Sequence, residues 1–211
     1  MSSERSEYRA LVAKVDAFTN TTETRRASDF ACSAGCAACC HAWLSVSLVE
    51  ADTLRAALAD LDPDERAVIR ARGEREQDRE QAGEQVPRCA LLDDAGRCGA
   101  YAARPLVCRT QGHALRYPAG FIPLEQVALS RSNGDVTWCP LNYTASGPDG
   151  ADVLDAERVD QILAVVAQRY ADACGGAREA RVSLSALAAE ADVLHDRPAR
   201  DPESHASKRR E

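Results

Sequence analysis

Apolar residues recur at helical spacing over much of the chain, and two stretches break that rhythm. Tyr8, Leu11, Val12, Val15 and Phe18 fall three or four apart, which predicts an amphipathic helix over residues 4–19. A Thr-rich stretch, residues 20–24, interrupts it. Trp43-Leu44-Ser45-Val46 is a short apolar run of extended type. Ser47-Leu48-Val49-Glu50 then has the form of a capping box, with Ser47 as N-cap and Glu50 at N3. The helix it opens carries Leu48, Ala51, Leu54, Ala57, Leu58 and Leu61 on one side. Asp62-Pro63-Asp64-Glu65 opens another, with Asp62 as cap and Pro63 at the first helical position. This helix, residues 63–82, is almost wholly charged after Ile69 and reads as a solvated surface helix.

The middle of the chain loses the helical period. Residues 89–101 resemble a hairpin, with Leu91 and Leu92 in a strand and Asp93-Asp94-Ala95-Gly96 as the turn. Residues 110–137 read as loop, rich in Gly and Pro, with a turn at Ser132-Asn133-Gly134-Asp135. A polar linker is expected over residues 142–150. The period then returns: Leu154, Val159, Ile162, Leu163, Val166 and Tyr170 predict a helix over 152–173, ended by Gly175 and Gly176. A last helix runs through Leu184, Leu187, Ala188, Ala191 and Leu194. Residues 196–211 lack apolar content and are expected to be disordered. The fold class is therefore mainly α with a small irregular β-hairpin element. A single cysteine-rich domain is expected over residues 1–195, with core motifs at 30–140 and helical flanks at 4–19 and 152–195.

The chain has 211 residues, enough for one sizeable core. Its formal net charge of −7 gives no basic field to draw in nucleic acid. Arg greatly outnumbers Lys and Ala is abundant, a usage that fits a GC-rich bacterial genome. No signal-like stretch opens the sequence, and no window approaches the ~18 apolar residues of a membrane span. A cytoplasmic protein without a membrane partner is the expectation.

Cysteine changes this picture most. Eight of the nine cysteines fall in two sets. The first is Cys32, Cys36, Cys39 and Cys40; the second is Cys89, Cys98, Cys108 and Cys139. A reducing compartment disfavours structural disulfides and favours metal or catalytic roles for clustered thiols. Thiolates are soft ligands suited to zinc, copper(I) and iron–sulfur chemistry, and short intervals let them converge on one ion. If residues 32–40 are helical, all four thiols share a face. If the segment turns at Gly35, Cys39 and Cys40 point to opposite sides. Eight thiolates fill two four-sulfur sites, or one polynuclear site with spares. Zinc takes four tetrahedral ligands and a four-iron cluster takes four cysteines. Cys174 lies apart and is read as a non-ligand.

Cys32-x3-Cys36-x2-Cys39-Cys40 resembles the hallmark of the YkgJ-type cysteine-cluster family, a zinc- or iron-chelating domain type. So do Cys89-Ala-Leu-Leu, Gly96-Arg-Cys98-Gly-Ala-Tyr101 and Arg104-Pro-Leu-Val-Cys108-Arg109. The resemblance spans about residues 30–140 and implies a zinc or iron cofactor, a 4Fe-4S cluster included. The same domain type occurs in flagellin lysine methylases. Two functions follow from it: a metal-binding, metal-handling module, or an iron–sulfur enzyme of redox or group-transfer type. The three-cysteine spacing is also that of radical S-adenosylmethionine enzymes, but Ala38 stands where an aromatic is usual and no βα repeats follow.

Around the thiols, Arg104 and Arg109 flank Cys108. They are candidates to balance thiolate charge or to pair with Asp93 or Asp94. His113, in a Gly-flanked loop, is a candidate cofactor contact, and His41 a polar neighbour of the cluster. Tyr101 is a hydroxyl donor or a packing group; Trp43 and Trp138 are walls of the core. The expected partner is the metal ion; any protein or small-molecule partner is not identified by these residues.

Overall fold

Two serine-capped helices start from one short β-ribbon, and that arrangement organises half the molecule. The computed structural model describes residues 3–84, 87–121 and 130–191. Strand β1 (Ser45–Ser47) runs into helix α2 (Leu48–Ala59), and strand β6 (Arg181–Ser183) runs into α6 (Leu184–Ala189). The strands pair antiparallel, Ser45 opposite Ser183 and Ser47 opposite Arg181, so the two helices leave from opposite ends. Each helix begins as its sequence dictates. Ser47 and Glu50 form the capping box, with the Ser47 amide donating to Glu50 Oε2 at 3.0 Å. Ser183 Oγ accepts from the Ala186 amide at 3.2 Å.

The remaining helices are α1 (Ser3–Arg25), α3 (Pro63–Gln81), the short α4 (Leu106–Thr110) and α5 (Ala156–Cys174). The chain is thus mainly helical, as its periodicity predicts. Helix α1 runs on through the Thr-rich stretch. Thr21 and Thr24 donate their hydroxyls to the Ala17 and Asn20 carbonyls of the preceding turn, while Thr19 and Thr22 are buried.

Helix α3 departs from the sequence reading as a solvated helix. It lies along α6, and Arg66, Ile69, Gly73 and Glu76 form a buried stripe. Gly73 permits the approach: a Cβ there would stand 2.2 Å from the Ala189 amide nitrogen. The buried charges find partners, although Arg66 Nε has none. Arg66 Nη1 donates to the Ala59 and Leu61 carbonyls, and Glu76 accepts from Arg79 and from the Arg88 amide.

The β content also exceeds one hairpin. A four-stranded sheet of order β3-β4-β2-β5 joins β2 (Ala114–Arg116), β3 (Arg131–Asn133), β4 (Val136–Trp138) and β5 (Val153–Asp155). Strands β2 and β5 are parallel and the other pairs antiparallel. Three of these strands fall in the stretch read as loop, because three-residue strands leave no measurable alternation. The turn expected at 132–135 closes β3 onto β4 with Gly134 at φ 63°. Helix α5 starts at Ala156 rather than 152, since β5 occupies 153–155, and Ile162 is exposed rather than part of the buried stripe. Pro123, Leu194 and the expected tail at 196–211 lie outside the described residues.

Two apolar clusters flank α2. Leu54 and Leu58 pack with Ile69, Leu91 and Leu187 on one side. Val49 packs with Tyr8, Leu11, Leu106, Val166 and Tyr170 on the other. Each fully buried Leu or Val contributes about 1.5–3 kcal/mol. Cys89 and Cys98 rest against the first cluster, which seats the cysteine region on the core.

Candidate metal centre

Residues 31–40 form neither a helix nor a strand. Two successive turns carry them, closed by Cys36 N donating to Ser33 O at 3.0 Å and Cys40 N to Ala37 O at 2.9 Å. Gly35 sits at φ 91°, a conformation that suits glycine. The knuckle geometry therefore holds and the single-face helix does not. Cys39 and Cys40 both border one cavity rather than facing opposite sides.

The second set comes to meet this knuckle. Asp93 N donates to Arg97 O and Gly99 N to Leu91 O, folding 89–99 into a tight loop with one antiparallel bridge, Leu92 to Cys98. The two cysteine-bearing turns are locked together in two places. Cys89 N donates to Cys40 O at 2.9 Å, and Gly96 lies so close that a Cβ on it would be 2.7 Å from Gly35 O. Helix α4, capped at Pro105, brings Cys108 to the same place.

The result is a cavity of about 440 Å³ bordered by six thiols: Cys36, Cys39, Cys40, Cys89, Cys98 and Cys108. Its other walls are largely apolar, with Leu44, Leu54, Leu91 and Leu184 among them. Burial pushes the Cys89 thiol up to about 11 and raises Cys108 and Cys98 as well. A hydrogen bond with Cys40, with burial added, raises Cys39. Cys108 is raised further by Cys89, Cys98 and Cys39, so these four sulfurs lie within electrostatic reach of one another. Two guanidiniums oppose this rise: Arg88 acts on Cys89, and Arg104 on the other three.

Arg104 borders the cavity and lowers Cys39, Cys98 and Cys108. Its guanidinium lies 3.5 Å from the Tyr101 ring centroid and its Nε donates to Tyr101 O at 3.1 Å. Tyr101 is thus an exposed platform for Arg104. Arg109 turns away from the thiols. It pairs with Asp16 of α1 at 2.8 Å and donates to the backbone carbonyls of Ala102 and Arg104, fixing the turn from which Arg104 projects. Asp93 and Asp94 pair instead with Arg97 and Arg72.

Cys32 and Cys139 stand outside the cavity's lining. Burial pushes the Cys32 thiol up to about 11, with Cys36 and Cys139 near enough to add to it and an amide hydrogen bond from Asn142 Nδ2 opposing. That bond is 3.2 Å long. Asn142 is wholly buried: it also donates to Gly112 O and accepts from the Ala31 amide. In the sequence it opens the polar linker expected over 142–150. The one signal pointing inward was its place three residues after Cys139. His113 is buried beside Phe30, not in the cavity's wall. Burial holds its ring down to about 4 although Glu23 Oε1 lies 3.3 Å from Nε2. His41 Nδ1 is bonded to the Pro87 carbonyl at 3.0 Å. Cys174 packs with Tyr170 and its neighbours, far from this chemistry in the core.

The donor set suits a soft or borderline cation: several thiols around one cavity with a compensating guanidinium. As the side chains stand, no three His, Cys, Asp or Glu groups among the described residues grip a common point tightly enough to hold an ion. Among the described residues no helix is long and apolar enough to cross a membrane. One family model matches, over residues 31–139, with the description "CxxCxxCC: Putative zinc- or iron-chelating domain". No curated protein and no solved structure matches the chain.

Proposed function

The chain belongs to the CxxCxxCC family of zinc- or iron-chelating domains, and from that membership we propose that it is a metal-handling module whose cavity thiols take up zinc or iron. Cys39, Cys89, Cys98 and Cys108 supply the primary four-sulfur set, matching the tetrahedral demand of zinc and the four-cysteine demand of a 4Fe-4S cluster. Cys36 and Cys40 border the same cavity and offer exchange positions for an incoming or departing ion. The observation that carries this reading is the meeting of six thiols, drawn from both halves of the cysteine pattern, on one cavity.

Uptake exchanges protons for metal, because ligating cysteines must be thiolates. Burial raises most of these thiols, so a bound cation, rather than the bare protein, provides the charge that ionises them. Arg104 offsets part of the negative charge that results. Neither His113 nor Arg109 lines the cavity; besides the thiols its polar lining is Ser33, Arg97, Tyr101, Arg104 and Gln111, with no histidine or carboxylate among the described residues. The module is therefore favoured over an iron–sulfur enzyme.

Anaerobic purification with metal analysis and an absorbance spectrum tests this. Stoichiometric zinc or iron is expected, lost in the Cys89→Ser, Cys108→Ser double variant and kept in Cys32→Ser. Stoichiometric metal in the double variant would overturn the assignment.

A further inference from the structure

A second cavity, of about 540 Å³, lies on the opposite side of α4 from the thiols. Leu106, Val107 and Thr110 of that helix face it, whereas Cys108 faces the cysteine cavity. Its volume falls within the roughly 300–1,000 Å³ of small-molecule sites. The walls are apolar, built from Leu115 of β2, Leu154 of β5 and Leu163, Ala164 and Ala167 of α5. Alanines on the α5 side leave space that larger side chains would fill.

The charged groups around this slot are unequally engaged. Arg178 is held by Asp172 through two hydrogen bonds of 2.7 and 2.8 Å. Arg181 donates to the Ser45 hydroxyl at 2.9 Å and to the Ser45 carbonyl. Glu50 accepts from the Ser47 and Leu106 amides. Asp160, exposed at the mouth, has no hydrogen bond or ion pair among the described residues, and neither does Glu179. Arg181 is near enough to act on the Asp160 carboxyl, but its donors are directed at Ser45. Glu50 lies within electrostatic reach of Asp160 and adds negative charge on the same side. Ser45 is neutral, so Arg181 keeps its positive charge and offsets part of the field of Glu50, Asp160 and Glu179; with Arg178 neutralised by Asp172, the balance around the slot is still negative.

We propose that this second cavity binds a small amphipathic amine, its hydrocarbon body against the leucines and alanines and its ammonium group at Asp160. The shape selects an extended apolar body; the carboxylates select the sign of its head. The site is separate from the thiols and does not depend on metal being present.

Isothermal titration calorimetry of the full chain with octylamine, 1-octanol and octanoate reads the proposal directly. Octylamine should saturate one site and bind at least tenfold more tightly than octanol, with octanoate weakest. Asp160→Asn should bring octylamine down to the octanol level while leaving octanol unchanged. Ala164→Trp should remove binding of both. Thermal melts of the variants establish that they are folded, and Glu179→Gln, with a smaller loss for the amine alone, provides a second charge test. Octanoate binding as tightly as octylamine, amine binding indifferent to both Asp160→Asn and Ala164→Trp, or no saturable binding would overturn it.

Discussion

Replacing Gly96 by Ala tests whether the two cysteine-bearing turns must close on each other to hold metal. Gly96 sits at φ 74°, and an Ala there costs about 1–2 kcal/mol in backbone strain. It also drives a Cβ to 2.7 Å from Gly35 O, a backbone atom that cannot rotate aside. Relieving that overlap means parting the turns by several tenths of an ångström, at about 1–3 kcal/mol. The metal-free protein can part them at the cost of the Cys89 N to Cys40 O bond, since no ion then holds the two sets of thiols to one point. A bound ion would draw both turns onto one point, so the overlap is borne in the loaded state. The affinity loss is then about 2 kcal/mol, or roughly 30-fold. Gly134→Ala is the control: its φ is 63° and nothing lies within 4 Å of its Cβ, so it carries the backbone strain without the overlap. Competition against a chromophoric zinc chelator reads both variants. Gly134→Ala should keep the native affinity while losing stability. Equal zinc affinities for Gly96→Ala and Gly134→Ala would refute the closing of the turns as a requirement for binding.

Other expectations follow from the fold. Gly73→Ala should lower the melting temperature despite a gain of about 1 kcal/mol in helix propensity, because its Cβ would overlap the Ala188–Ala189 backbone of α6; a stabilised variant would contradict the close packing of α3 on α6. Asp152→Asn should cost about 3 kcal/mol in urea unfolding, since this fully buried carboxylate accepts from Arg25, Arg26 and the Asp149 amide; a change under 1 kcal/mol would mean the cluster is not formed in solution. His113 is depressed to about 4 by burial, so the unfolded chain takes its proton first as pH falls. The metal-free protein should thus lose about 3 kcal/mol between roughly pH 6.5 and 4, stability being full above that window. The His113→Phe variant should lack that component of the slope. Should Glu23, 3.3 Å away, dominate instead, wild type would gain stability relative to the variant on acidification.

What the sequence disclosed depended on how local the cause was. The caps at Ser47, Asp62 and Gly175 are set within four residues, and each stands where the spacing predicts. The short strands are not legible in the sequence, because the pairing of Leu115 with Thr137 joins positions far apart along the chain and three residues carry no pattern that announces it. Helix α3 looked wholly solvated because its buried stripe contains Arg66, Gly73 and Glu76; only the partner helix reveals why those residues belong inside. The same limit applied to the site. Cysteine spacing named the eight candidates, but their division into six around a cavity and two beside Asn142 is a property of the turns at Gly35 and Gly96.

That division bears on why the protein needs more thiols than a closed four-sulfur site would use. A buried tetrad releases its ion slowly, since every sulfur must be reprotonated in place before the ion can leave. Cys36 is exposed and borders the same cavity as the half-buried Cys108, so one wall of the site faces solvent. Surplus thiols around an open wall would let an ion held there exchange one sulfur for another without ever being bare. Arg104 sits where charge would accumulate as thiolates form, held in place by Tyr101 below it and by Arg109 through its own backbone carbonyl. A purely structural site gains nothing from surplus donors or an accessible wall. A site that acquires and surrenders its ion requires both, and that is the physical ground for reading this cavity as metal handling rather than scaffolding.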